Sequence, residues 1–258
     1  MQNTDILKTK ANFMSAPLLI DDTNLSNAWC RVLDHTIKNS GYEITPLIIT
    51  LSDFNELEKI KSNLNISLIN EGFDSIDTVS ETIFPNSLYQ ISNRNRTKLY
   101  KVYLNNVLPR ITKIDTANGR GTYFARLIAY DDGVNKKKIN QLEIIISSLL
   151  DKTNNRRSKL QASIFDPTKD HVNGPYQKFP CLQHVTFYKS ETEGLILNSF
   201  YAIQYLYQRA YGNWLGLINL GKFIANECNL EFERFNCFIG VEKLDHLKKE
   251  QAKKLLLN

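Results

Sequence analysis

The chain reads as one α+β domain. Three observations carry that reading. Amphipathic helical segments and apolar strand-like runs mix without a regular βαβ rhythm. No internal repeat or low-complexity linker divides the sequence. Its 258 residues, 42% of them hydrophobic, are enough for one sizeable core.

Taken in order, "NLSNAWCRVLDHTIKN" opens with Asn24 as a cap and places Leu25, Trp29, Val32 and Leu33 on one helical face. "GYEITPLIITL" is a strand whose start Pro46 limits. Ser52 or Asp53 then begins a short helix through "FNELEKIKSN". "SIDTVSETIFPNSLYQ" is helical to about Thr82 and is cut by Pro85. "NRNRTKLYKVYLNNVLPRI" is a further helix. In "DTANGRGTYFARL", Gly119 and Gly121 make a turn that delivers Tyr123 and Arg126 from a loop.

"INQLEIIISSLLDKTNNRRSK" is a helix with Leu142, Ile145, Ile146, Leu149 and Leu150 inward, ending in a polar loop with Arg156 and Arg157. "LQASIFDP" is a short strand stopped by Pro167, and Asp166 and Asp170 stabilise the turn after it. "CLQHVTFY" and "EGLILNSFYA" follow as strands. A long helix is expected from Gln204 to Cys228, with Leu206, Ala210, Leu217, Leu220 and Ile224 along its apolar stripe. Gly212, Gly216 and Gly221 weaken its propensity and point to close packing. "RFNCFIG" is a last strand and "EKLDHLKKEQAKKLLL" a terminal helix.

The formal charge of +5, from 32 basic and 27 acidic residues, is a mild excess that suits anionic ligands without specifying one. "KKK" at Lys136 to Lys138 and "LKKEQAKK" read as solvated faces. Aromatics do not interleave with them, so a nucleic-acid partner is not expected. No apolar stretch is long enough for a membrane helix, and "MQNTDILKTKANF" lacks the apolar core of a signal peptide. The expectation is a cytoplasmic protein. Cys30, Cys181, Cys228 and Cys237 form no C-x-x-C pair, and the four histidines are far apart, so no metal motif is expected.

Few residues announce a chemistry. Cys181 follows Pro180 at the mouth of a strand, where a thiolate could be held at a pocket edge. Judged locally, a packed strand cysteine is the stronger reading. Arg156 and Arg157 could grip a phosphate with fixed donor geometry, or simply end a helix in solvent. Asn213 sits inside a helix, where asparagine is disfavoured; it could read a base edge or face solvent. Tyr123 offers a hydroxyl or an amphipathic packing ring.

The order of these features resembles the thymidylate synthase family, with its deoxycytidylate hydroxymethylase relatives. "GTYFARL", "NQLEIIISSLLDKTNNRR", "FDPTKD", "PCLQHVTFY" and "EGLILNSFYAIQYLYQRAYGNWLGL" carry the resemblance, which spans roughly Tyr123 to Ile239 and is weaker upstream. It implies a single domain over 1–258 with a divergent portion at about 1–115. It also implies a mixed sheet packed with helices and a homodimer of face-to-face sheets. Cys181 would be the nucleophile that adds to C6 of a pyrimidine. Tyr123 would belong to the proton-transfer network, and Glu81, in "SETIFP", would match the catalytic glutamate. Asn213 would bond the base, with Gln183 in the same substrate-binding set. Arg156 and Arg157 would reach a nucleotide phosphate across the dimer. The implied cofactor is 5,10-methylenetetrahydrofolate, and the implied substrate a pyrimidine nucleotide or nucleoside.

The sequence departs from the family at "AIQY". Ala202 stands for the in-subunit phosphate arginine, Ile203 for a serine and Tyr205 for an aspartate. Arg209, in "LYQRA", superficially resembles the family's "YQRS"; a shift onto it moves the arginine seven positions and loses the Asn213 match, but Arg209 could still reach an anion and joins the substrate-binding set. The sugar-holding histidine and tyrosine have no counterpart in "CFIGVEKLDH". Two functions therefore stay open: a pyrimidine C5 methyl- or hydroxymethyltransferase with altered substrate recognition, or a silent family fold that binds nucleotides or proteins.

Overall fold

The structure, a computed structural model, describes residues 16–133, 137–151, 153, 156–171, 173 and 181–257. It is a mixed α+β fold, as the sequence predicts. Pro180 and Lys136 lie outside the described residues.

Strand β1 (Leu18–Asn24) leads into α1 (Leu25–Lys38). The Asn24 side chain accepts the Asn27 N–H at 3.1 Å and caps the helix as expected. Leu25, Trp29, Val32 and Leu33 are fully buried. β2 (Glu43–Ile44) and β3 (Leu47–Asn55) flank the cis Thr45–Pro46 bond. The helix expected from Ser52 or Asp53 begins later, as α2 (Glu58–Asn70). The reason is pairing: β3 bonds β1 on one side and β9 (Phe232–Lys243) on the other, burying Leu47, Ile49 and Leu51. Two ladders outweigh a local cap signal.

Next come α3 (Ile76–Ile83), capped by Ser75, and α4 (Asn86–Ile91) after Pro85. The helix expected over "NRNRTKLYKVYLNNVLPRI" is continuous but irregular. It runs as α5 (Arg96–Val102), a π-turn over Tyr103–Val107 and α6 (Leu108–Ile114). Pro109 lacks the N–H a regular turn would use there.

Tyr123 and Arg126 are not on a loop. They belong to α7 (Tyr123–Ile128), whose cap is the Thr122 hydroxyl, 3.2 Å from the Ala125 N–H. The turn itself is real: Gly121 has a φ of +100°, a left-handed conformation suited to glycine. β4 (Tyr130–Asp131) and β5 (Lys138–Ile139) form a separate short ribbon before α8 (Gln141–Leu150). Four of the five expected inward residues of α8 are buried, but Leu150, at the helix end, is 47% exposed.

β6 (Gln161–Ser163) and α9 (Pro167–Asp170) follow. Asp166 caps α9, whereas Asp170 does more than stabilise a turn: it is fully buried against Arg126. β7 (Leu182–Lys189) and β8 (Leu195–Tyr205) form a hairpin. The long helix starts after β8, not at Gln204. A π-turn over Leu206–Ala210 joins β8 directly to α10 (Tyr211–Glu227), and α11 (Lys249–Leu257) ends the description.

The main sheet has seven strands in the order β1-β3-β9-β8-β7-β6, with β2 beside β9. β1–β3 and β8–β9 are parallel; the other pairs are antiparallel. Helices bury one face. Against it packs α10, with Gly212 and Gly216 turned toward α3. A Cβ on Gly212 would lie 2.6 Å from Val79, and one on Gly216 would lie 2.7 Å from the Ser80 carbonyl. Glycine thus lets α10 meet α3 backbone to backbone. The stripe of Leu206, Ala210, Leu217, Leu220 and Ile224 is fully buried. On the other face, Phe200 and Phe238 stack at 5.5 Å and remain 38% and 39% exposed.

Candidate active site

One large cavity, of about 1160 Å³, opens where α3, the Gly119–Gly121 turn, the start of β7 and the β8–α10 junction meet. Each wall has a local cause. α3 presents Glu81, whose two carboxylate oxygens accept the Ser87 N–H at 2.9 Å and the Ser87 hydroxyl at 2.7 Å. The turn at Gly121 starts α7 with Tyr123 at the cavity edge. Cys181 stands immediately before β7, partly buried. The π-turn and α10 carry Arg209 and Asn213, four residues apart and both on the cavity wall.

Glu81, Tyr123, Cys181, Arg209 and Asn213 therefore share one cavity. No shift onto Arg209 is needed to place it there, because the helical spacing presents both residues to the same space. Arg156 and Arg157 are exposed and do not line this cavity. Gln183 is also elsewhere. It lies in β7, and its carbonyl accepts the N–H groups of Ile164 and Phe165 at 2.9 and 3.1 Å.

Burial raises the Cys181 thiol above its usual pKa, and the Arg209 guanidinium opposes that shift. Tyr123 is pushed up to about 12, first by burial and then by Cys181. The backbone amides of Leu182 and Cys181 and the charge of Arg209 act the other way. At neutral pH this is a protonated thiol beside a protonated phenol, with one cation near both. Asn213 is only 5% exposed, and its amide is available to a ligand: among the described residues its side chain carries no hydrogen bond.

Sequence reasoning missed several wall residues. Arg120 sits between two glycines, and that Gly-Arg-Gly arrangement was the available signal for an exposed, tightly turned cation. Ile203 and Tyr205 line the cavity without filling it. Pro85, Leu88, Ile91, Val107 and Ile111 make an apolar wall that no local motif marks. Among the described residues, no group of three or more His, Cys, Asp or Glu could hold a metal ion, and no helix is long and apolar enough to cross a membrane.

No family model matches this chain, and no curated protein matches it significantly.

Proposed function

We propose that the cavity binds a pyrimidine nucleotide or nucleoside and that Cys181 adds to C6 of its ring, opening a one-carbon transfer to C5. The observation that carries this reading is the convergence of Cys181, Tyr123, Glu81, Arg209 and Asn213 on one cavity from segments far apart in sequence. It agrees with the resemblance to the thymidylate synthase family.

In the proposed step the Cys181 sulfur bonds to C6, and the C5–C6 π electrons move toward C5 and the ring oxygen. The thiol proton must leave first. Arg209 favours the thiolate by its charge. Glu81, held by Ser87, is the carboxylate on the wall that can take a proton directly or through water. Asn213 and Tyr123 donate toward the ring oxygen that gains charge. When bound, methylenetetrahydrofolate would supply a methylene-level carbon, which becomes a methyl group with a hydride from the folate or a hydroxymethyl group with water. The residues present fit such a second ring: the volume lies above the usual range for one small-molecule site, and Pro85, Leu88, Ile91, Val107 and Ile111 add apolar lining to the polar groups.

The test is a covalent adduct. A 5-fluoropyrimidine nucleotide or nucleoside, offered with methylenetetrahydrofolate, is expected to add its mass to the intact protein. The Cys181→Ala protein should show none. A second reading, ligand binding without chemistry, draws on the burial that keeps Cys181 as a thiol. It takes over if uracil and cytosine compounds, phosphorylated or not, all fail to form the adduct while still binding.

The proposal includes a homodimer. The outer sheet face carries the Phe200–Phe238 stack beside a hydrogen-bonded row from Thr50 through Asn236 and Asn198 to Thr186. A second copy of this face would cover it, and the exposed Arg156 and Arg157 would serve the partner's cavity, as the resemblance implies. Light scattering after size exclusion should give twice the chain mass. Phe238→Glu should give the monomer mass, and a monomeric wild type at micromolar concentration would remove the dimer from the proposal.

A further inference from the structure

The described walls of the cavity hold three guanidiniums, on Arg120, Arg126 and Arg209, against the single carboxylate of Glu81. Their charges are not equally available. Arg126 is buried and paired with Asp170 through both terminal nitrogens, at 2.5 and 2.7 Å. Arg209 meets Asp74 at 2.9 Å, but the two side chains stay 42% and 49% exposed. A pair so exposed is weak and exchangeable.

Arg120 differs from both. Its backbone is fixed from below, because the Arg126 guanidinium donates to the Arg120 carbonyl at 2.9 Å. The left-handed Gly121 follows it, and a Cβ there would come within 3.1 Å of the Arg126 side chain. Its own guanidinium has no carboxylate partner among the described residues. An anchored main chain thus presents an unpaired cation at the cavity rim. Ala202, where the resemblance leads one to expect an arginine, does not line the cavity.

We infer that Arg120 holds the oxyanion end of the cavity's ligand, and that Arg209 joins it by exchanging Asp74 for the same anion. The shared chemistry is a planar ring compound ending in a phosphate monoester or a carboxylate. A guanidinium suits either, since its fork of donors matches two oxygens at once. Asp74 would then act as a built-in competitor that lowers the cavity's affinity for anions. This inference rests on the proposed function only for the class of ring.

The test is calorimetric titration of the full chain with five probes. These are deoxyuridine and deoxycytidine monophosphates, the two parent nucleosides, and p-aminobenzoylglutamate as the carboxylate probe. Arg120→Gln, an exposed substitution, should weaken the monophosphates by about ten-fold or more and leave the nucleosides unchanged. Asp74→Asn should tighten the same anions by about two- to five-fold. If Arg120→Gln weakens only p-aminobenzoylglutamate, the bound oxyanion is a carboxylate and the inference stands with that source. Unchanged affinity for every anionic probe overturns it, as does failure of all of them to bind the wild type. An effect of Arg120→Gln with none from Asp74→Asn removes Arg209 from the clamp. Anion binding that obeys these expectations without a Cys181 adduct would overturn the addition chemistry and leave the clamp in place.

Discussion

Replacing Asp170 with alanine should destabilise the protein by about 3–5 kcal/mol, the range found when one partner of a buried ion pair is removed. Asp170 is fully buried and accepts three bonds: two from Arg126 and one from the Asp166 N–H at 2.8 Å. The alanine leaves the Arg126 charge in the interior with only the carbonyls of Ile164 and Arg120 as acceptors. The damage should extend to the site, because Arg126 also pins the turn that carries Arg120 and introduces Tyr123. Denaturant melts with an unchanged slope and a lower midpoint are the expected signature. Asp170→Asn, which keeps the shape and some acceptors, should lose less. A loss below about 1 kcal/mol for the alanine would mean that the pair is hydrated and open to solvent.

The second large effect depends on pH. Glu242 is fully buried in β9, and neither of its carboxylate oxygens has a hydrogen-bond partner among the described residues. Gln204 lies beside it in register on β8, with both amide atoms equally unpartnered. Burial, and then the nearby Asp245, raise the Glu242 pKa well above the ordinary glutamate value. The folded chain therefore keeps a proton that the unfolded chain releases. Below the unfolded pKa both states are protonated and the effect is absent. As pH rises toward the folded pKa, stability falls by up to about 1.4 kcal/mol per pH unit. Glu242→Gln cannot release a proton. It should gain steadily on the wild type from about pH 5 to pH 8 when melting midpoints are compared. Parallel curves for the two proteins would show that Glu242 is charged and compensated.

Much of this fold was legible because single segments specified it. The α1 face, its Asn24 cap, the break at Pro85 and the strands β7 and β8 all follow from neighbours in sequence. The failures lie where distant partners decide. β3 overruns a helix-start signal because two strands flank it. Local sequence puts the β8–α10 junction too early because Gln204 and Tyr205 carry no stop signal, whereas β9 fixes the strand end by pairing through Lys243. The site shows the same division. Cys181 and Asn213 could be picked out residue by residue, with the family resemblance raising them above the bland reading. The apolar wall of Pro85, Leu88, Ile91, Val107 and Ile111 could not, since it exists only once separate segments fold around one cavity. Alignment alone leaves Arg209 as a residue that could reach an anion, and three-dimensional proximity puts it on the same cavity as Cys181.

The glycine contact between α3 and α10 bears on how the cavity can move. Backbones that already touch at Gly212 and Gly216 can neither close further nor part without opening the core. The wall bearing Glu81 and Asn213 is therefore stiff. The apolar side is built differently: Ile91 is 74% exposed, and Val107 sits in a π-turn. Breathing of the cavity falls to that side, so Glu81 and Asn213 keep their mutual spacing while the apolar side adjusts to whatever enters.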